Sequence, residues 1–148
     1  MTDLKCFGRF DPRLRYKERR AAYAVILTDP CSVIAIKVRN KYWLPGGGSR
    51  DGEAAADTVL REVREELGRD VRLIEEIGRA IQYFHASEEN CSYEMEATFF
   101  RAELVEGRKE PAEYEFSYIP LSCVTTAFFH QCHEWAIEQV TTGATRFT

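Results

Sequence analysis

Apolar residues recur along the chain in two different periods, and each period predicts one kind of element. Short apolar runs rich in β-branched residues predict buried strands over residues 21–28 and 32–39, joined as a hairpin by the turn Asp29-Pro30-Cys31. Residues 54–67 instead repeat apolar side chains at steps of three and four, which predicts a helix. The stripe that this helix buries contains Ala56, Val59 or Leu60, Val63 and Leu67.

The second half of the chain continues with strands and then a helix. Strands are predicted over residues 71–77, 78–85, 93–104 and 115–119. After Pro120 and Ser122, a helix is predicted to about Val140, followed by a loose tail over residues 141–148. The apolar side of that helix consists of Phe128, Phe129, Cys132, Trp135, Ala136 and Val140. Strands on both sides of a central helix, with a second helix at the end, predict an α/β fold in which a mixed sheet lies between helices.

The segment Trp43-Leu44-Pro45-Gly46-Gly47-Gly48 precedes the first helix and is predicted to be irregular. Pro45 has no backbone donor, and the three glycines allow the backbone to take positive φ and approach a ligand closely. At the other end of the helix, Gly68 stands where a left-handed terminus is expected.

Three acidic residues occupy unfavourable positions on this helix. Glu62, Glu65 and Glu66 share one face, and the like-charged i, i+4 pair costs about 0.2–0.5 kcal/mol. Acids in the last turn also oppose the helix dipole by about 0.3–1 kcal/mol each. A bound Mg²⁺ or Mn²⁺ reverses the sign of these terms, so the cluster indicates a metal site. The alternative is a solvated face with ion pairs such as Arg61–Glu65.

These features together carry a family resemblance. Gly47, Glu53 and the run Arg61-Glu62-Val63-Arg64-Glu65-Glu66-Leu67-Gly68 keep the spacing of the Nudix box, and the chain resembles the MutT-like Nudix hydrolases. One position departs from the box, since Arg69 replaces an aliphatic residue, and Val71 is the candidate to take over its packing contact. The resemblance implies an α/β/α sandwich and a hydrolase that cleaves a diphosphate linkage in a nucleoside diphosphate derivative.

The resemblance also implies a set of site residues. Glu62, Glu65 and Glu66 would hold Mg²⁺ or Mn²⁺ together with the carbonyl of Gly46 or Gly47. Glu62 is the first choice to contact the attacking water, although the family does not place its general base uniformly. Arg61 would brace the acids as part of the catalytic group, and Glu53 would bind a second metal through water.

Candidates for substrate contact are less sharply indicated. Basic residues end the stretch before the first long strand, and others alternate along the second strand. Aromatic residues in strands can stack on a base but more often lie in the core. The candidates are Arg20 or Arg19, Lys37 and Arg39 on one strand face, Tyr83 together with Phe84, Tyr93 and Phe99, and Glu115. Glu113 and Glu115 also resemble acids that some relatives use as an extra metal ligand or base. For each, an ordinary solvent-exposed or core position is the alternative.

The resemblance leaves the substrate open. A nucleoside triphosphate, a dinucleoside polyphosphate and a nucleotide sugar all fit, whereas the proline that is usual in the ADP-ribose subgroup is absent near Tyr83-Phe84-His85-Ala86. The alternative function is a non-catalytic Nudix module that binds or senses a nucleotide. Such modules typically lose box acids, and here every acid is present. A hydrolysis screen with Mg²⁺ discriminates between the two.

Composition limits the number of domains, the kinds of partner and the cellular compartment that we expect. At 148 residues and 45% hydrophobic, without a linker or repeat, residues 1–148 are predicted to form a single domain. A net charge of −4 disfavours a nucleic-acid surface, and no apolar run is long enough for a membrane span. Five cysteines without a CxxC pair favour reduced thiols in the cytoplasm. His130-Gln131-Cys132-His133 lacks the second cluster that a zinc site needs. The sequence does not fix the oligomeric state, and a homodimer is one possibility because many Nudix relatives form one.

Overall fold

The computed structural model describes residues 4–28, 31–107, 109–125 and 127–146. The strands are β1 (Lys5–Phe7), β2 (Tyr16–Thr28), β3 (Ser32–Val38), β4 (Lys41–Trp43), β5 (Gly46–Gly48), β6 (Val71–Ala86), β7 (Cys91–Leu104) and β8 (Phe116–Pro120). The helices are α1 (Ala55–Leu67) and α2 (Gln131–Arg146), with a 3₁₀ turn over Leu121–Cys123.

All eight strands belong to one mixed sheet. Its order is β1-β6-β7-β2-β3-β4, with β5 added to β2 and β8 added to β3. The β1–β6 and β7–β2 pairs are parallel, and the other pairs are antiparallel. The central β2–β7 pair runs in unbroken register from Tyr16 opposite Ser92 to Ile26 opposite Ala102. This long pair forms the rigid base on which the site is built.

A helix covers each face of the sheet, so the predicted α/β/α sandwich is confirmed. Alternate residues of β2 point to opposite faces, as the strand period requires. The first face joins Ala22, Ala24 and Ile26 of β2 to Val59, Val63 and Leu67 of α1. The second face joins Ala21, Tyr23 and Val25 to Cys132, Ala136 and Ile137 of α2.

The helix α1, which carries the box acids, begins one residue later than predicted and ends at Leu67 as predicted. Val59 and Val63 are fully buried, and Val71 packs in the same cluster, as expected for the contact that Arg69 does not supply. Gly68 takes φ 67° and donates its N–H to the carbonyl of Arg64, which closes the helix.

The glycine segment is more regular than predicted. Trp43 ends β4, and residues 46–48 pair with β2 as a short antiparallel strand. The prediction was wrong because a ladder needs only backbone groups, and glycine allows an approach that side chains prevent. At Gly46, where φ is 145°, a Cβ would lie 2.2 Å from the carbonyl oxygen of Ala22.

Other boundaries also differ. Residues 71–85 form one strand, because bulges between Leu73 and Gly78 absorb the irregularity without breaking the ladder. The final helix begins only at Gln131, because the chain first makes a 3₁₀ turn and Phe128 bridges back to Tyr42. The helix continues to residue 146, so the prediction of a loose tail is wrong for residues 141–146. Residues 147 and 148 lie outside the described residues. The Asp29-Pro30 part of the hairpin turn also lies outside them.

Two further observations concern the whole chain. All five cysteines are free thiols. No helix in the described ranges has the length and apolar character required to cross a membrane.

Candidate active site

The strand β5 and the helix α1 meet at the box acids. A Cβ on Gly47 would lie 2.9 Å from the carboxyl carbon of Glu62, so glycine is what allows the strand to lie against this carboxylate. The N–H of Gly46 donates to Oε1 of Glu66 at 2.8 Å. The glycines therefore bring backbone groups into direct contact with two of the acids.

Arg61 connects the acids to one another. Its Nη1 donates to Glu62 at 2.9 Å and to Glu65 at 3.4 Å. Its Nε and Nη2 bind the two oxygens of Glu53 at 2.8 and 2.9 Å, and Nη2 also reaches the carbonyl of Gly48 at 3.1 Å. These are the bracing contacts expected from the sequence, and they hold strand, turn and helix together.

Glu53 is fully engaged in this brace. Besides Arg61, its Oε1 accepts hydrogen bonds from the N–H of Arg50 at 3.0 Å and from the hydroxyl of Thr58 at 2.9 Å. The hydrogen bonds from Arg61 and then from Arg50 hold the pKa of Glu53 well below its ordinary value. These contacts favour a bracing role for Glu53 over the metal role expected from the resemblance.

Glu66 is the buried member of the acid group. It is 7% exposed, and burial raises its pKa to about 8. The charges of Glu62, Glu113 and Glu65 act in the same direction, and the hydrogen bond from Gly46 opposes them. A cation beside Glu66 would offset both the burial and the like charges.

The three box acids bind groups of the protein, and Glu62 and Glu65 share Arg61. Within the described ranges, no group of three or more His, Cys, Asp or Glu side chains gathers as a metal site. Glu65 is half-exposed and lies 3.7 Å from Arg50, while Glu62 and Glu66 bind Arg61 and Gly46. The donor set nevertheless fits a hard divalent cation, because carboxylates on one helix face lie beside backbone brought close by the glycine at residue 47. The metal site stays a prediction.

The loop before β8 covers the carboxyl end of α1. The N–H groups of Glu110, Glu113 and Tyr114 donate to the carbonyls of Gly68, Glu65 and Glu66 at 2.9, 3.3 and 3.0 Å. These bonds satisfy carbonyls that a helix otherwise leaves unpaired. The loop also brings the Glu113 charge towards Glu66, which no local sequence pattern indicates.

A cavity of about 610 Å³ opens beside the box. Gly46, Gly47 and Glu66 lie at its box end. The rest of its wall includes an aromatic and basic group that consists of Arg19, Arg39, Trp43, Phe84, Tyr114, Phe129 and His130. The cavity therefore joins an apolar, aromatic space to the acid cluster.

Among the predicted substrate contacts, Arg19, Arg39 and Phe84 are part of this wall. The expectation that Lys37 shares its face is wrong, since β3 ends at Val38 and Arg39 takes φ 51° in a turn. Lys37 instead lies over the ring of Tyr42, with Nζ 5.7 Å from its centroid. Arg39 forms an ion pair with Glu88 at the cavity.

Arg20, Tyr83 and Glu115 lie elsewhere. Arg20 lines two other cavities, and Arg19 lines one of these as well as the aromatic one. Tyr83 packs edge-on against Phe10 and Tyr16, with centroids 5.2 and 5.3 Å away. Glu115 is exposed, and its neighbour Tyr114 lines the cavity.

Four residues of this aromatic and basic group were missed as substrate contacts: Trp43, Tyr114, Phe129 and His130. His130 precedes α2 instead of lying within the helix predicted after Ser122, and it is 4% exposed. Strand parity could have selected Arg19 over its neighbour, since Arg19 and Tyr23 share a face of β2.

Comparison with known proteins identifies the family. A family model described as NUDIX domain matches residues 17–135, and no curated protein matches the sequence. The chain therefore belongs to the NUDIX family, whose hydrolases act on pyrophosphate bonds.

Solved structures share the fold at low identity. A NUDIX hydrolase from Nitrosomonas europaea is 18% identical, with a TM-score of 0.67 over 86% of this chain and 90% of that one. The MutT protein from Methanosarcina mazei Go1 is 20% identical, with a TM-score of 0.64 over 90% and 99%. The E. coli dihydroneopterin triphosphate pyrophosphohydrolase is 17% identical, with a TM-score of 0.68 over 84% and 95%.

Proposed function

We propose that this protein uses Mg²⁺ or Mn²⁺ to hydrolyse a diphosphate linkage in a nucleoside diphosphate derivative. The observation that carries the proposal is the buried carboxylate of Glu66, set among other acids at the end of an aromatic cavity. A cavity of this kind accommodates a ring at one end while the acid cluster faces the phosphates at the other.

Glu62, Glu65 and Glu66 would hold the cation, with a carbonyl of Gly46 or Gly47 as a further ligand. When bound, such a cation neutralises phosphate charge and lowers the pKa of a water. The chain itself orients the reacting groups. Arg61 binds Oε1 of Glu62 and thereby holds this carboxylate where it can contact the attacking water.

Arg19 is proposed to bind substrate phosphate. Its guanidinium lies over Tyr93 and against Gly48, and its buried Nε has no hydrogen-bond partner among the described residues. An unused donor on a cation beside the box suits a phosphate oxygen. Arg39 is the weaker candidate, because it would first have to leave Glu88.

The substrate is proposed at the level of class. A nucleoside triphosphate, a dinucleoside polyphosphate and a nucleotide sugar each combine a ring with a diphosphate. The E. coli neighbour, named for dihydroneopterin triphosphate, adds a non-nucleotide ring to the compounds worth testing.

Hydrolysis of a compound panel tests the proposal. The purified protein is incubated with Mg²⁺ and each compound, and phosphate is measured after treatment with inorganic pyrophosphatase or phosphatase. We expect turnover of at least one compound, its loss in EDTA, and its loss in Glu66→Gln. The exposed Glu75→Gln serves as the matched control and should retain activity. Nucleotide binding by calorimetry without any turnover would instead establish the non-catalytic module.

A further inference from the structure

The aromatic end of the cavity is built for a planar ring. Trp43 and Phe129 stack with centroids 5.0 Å apart and planes inclined by 23°. The ring of Phe84 stands edge-on to Phe129 at 6.5 Å. Flat aromatic walls bind heterocycles by stacking, and this binding tolerates many different bases. Selection among rings therefore requires a polar group in the same wall.

His130 is a polar group in that wall with unused hydrogen-bonding capacity. Its ring is packed by Phe84 at 4.6 Å and Phe129 at 4.8 Å, and the residue is 4% exposed. Its buried Nδ1 has no hydrogen-bond partner in the described part of the chain. An unpaired polar atom in an apolar setting is destabilising, and a ligand that supplies a partner removes the penalty.

The other two histidines differ from His130 in their surroundings. His133 also has a buried ring nitrogen, Nε2, without a partner among the described residues, but it lies wholly in the core and away from the cavity wall, and its Nδ1 accepts a hydrogen bond from the N–H of Leu44 at 3.1 Å. His85 also lines the cavity, but its Nδ1 lies 3.1 Å from the hydroxyl of Ser92. Of these three, His130 alone combines a place in the aromatic wall with an unpartnered Nδ1.

We infer that His130 hydrogen-bonds to the heterocycle of the substrate and determines which ring the enzyme accepts. The inference rests on the proposed function, because it places the ring of the same substrate whose diphosphate meets the box acids. Burial, together with the nearby charge of Arg19, lowers the pKa of His130 to about 4. The imidazole is therefore neutral at pH 7 and offers one donor and one acceptor to the edge of a ring.

Binding of compounds without a diphosphate tests this role independently of catalysis. The probes are the four ribonucleoside 5′-monophosphates and neopterin, titrated without metal and followed by protein NMR. We expect at least one to bind wild type with a Kd below about 10 mM. For the best probe, His130→Phe should raise Kd at least about tenfold, because it keeps the ring and removes both nitrogens. His130→Gln should recover part of the loss.

Glu75→Gln is the control, and it should change Kd by less than about twofold, because Glu75 is exposed and lies outside the cavity wall. The circular dichroism spectrum establishes that each variant folds, and His130→Leu replaces His130→Phe if the larger ring does not fit. For a substrate that the enzyme hydrolyses and that carries the same ring, His130→Phe should raise KM while kcat stays within about threefold of wild type. No binding of any probe to wild type, or equal Kd values for wild type and His130→Phe, would overturn the inference. If wild type hydrolysed no compound of the panel, the proposed function alone would be overturned.

Discussion

Removal of the Arg61 guanidinium should destabilise the fold far more than removal of its helical neighbour Arg64. Arg61 is 19% exposed at the side chain and makes charge-assisted hydrogen bonds of 2.8–2.9 Å to Glu53 and Glu62. It also joins three segments, since it reaches the carbonyl of Gly48. Arg64 is 51% exposed and binds only Asp70 among the ion pairs found in the described residues.

The expected magnitude follows from burial. Breaking a fully buried pair costs about 3–5 kcal/mol, because the remaining charge loses its partner. Since solvent still reaches one edge of Arg61 and its acids, we expect about 2–3 kcal/mol for Arg61→Ala. An exposed pair is worth about 0–1 kcal/mol, which is the expectation for Arg64→Ala. A loss of 2–3 kcal/mol corresponds to a Tm lower by about 4–12 °C at this chain length.

Urea unfolding, followed by circular dichroism at pH 7, measures the free energy of unfolding of both variants. Both substitutions place alanine in the same helix, so the difference in helix propensity cancels. If Arg61→Ala were as stable as Arg64→Ala, the bridge between glycine strand, turn and helix would contribute nothing, and the reasoning from burial would be wrong.

Three further results are expected. Glu66→Gln should lower kcat/KM at least about 100-fold while keeping the fold, because it conserves volume and removes charge, and Glu75→Gln should not; equal loss in both would contradict this. The pKa of His130 is about 4 in the fold and about 6.5 when unfolded. As pH falls from about 6.5 to about 4, the unfolded state therefore binds a proton that the folded state does not, and the free energy of unfolding decreases. His130→Phe should remove about 3 kcal/mol of this decrease. If urea unfolding gave the same dependence of stability on pH for wild type and His130→Phe, the decrease could not be attributed to His130. Gly68→Ala should cost more than Gly52→Ala in the same assay, since the two glycines have φ of 67° and 77° but only the Cβ at residue 68 meets a carbonyl, at 2.1 Å; equal costs would leave backbone strain as the sole cause.

The box helix was predictable because its signals are local. Periodic apolar residues, the glycine terminus and the acid spacing all lie within one segment, and the structure keeps its bounds to within one residue. The hydrophobic runs likewise located the central strands, since a strand that is buried on both faces needs a nearly continuous run of hydrophobic residues.

Features that depend on distant segments were not predictable. The glycine strand exists because β2 lies beside it, and the covering loop reaches α1 from more than forty residues away in sequence. The sequence could not distinguish Tyr83 from Phe84, because strand parity near two bulges cannot be counted from either end. The sequence drew attention to His130 only as a zinc ligand that lacks partners, because only the packed structure shows that it is buried beside Phe129.

Direct measurement of Mn²⁺ binding tests most simply whether the three box acids hold a divalent cation. Electron paramagnetic resonance reports free Mn²⁺ during titration of the wild-type protein and of the triple variant Glu62→Gln, Glu65→Gln, Glu66→Gln. We expect wild type to bind Mn²⁺, Mg²⁺ to compete for the same site, and the folded triple variant to leave the ion free. Equal binding by both proteins, or no binding by wild type even with a nucleoside diphosphate present, would contradict the assignment of these acids to a metal site.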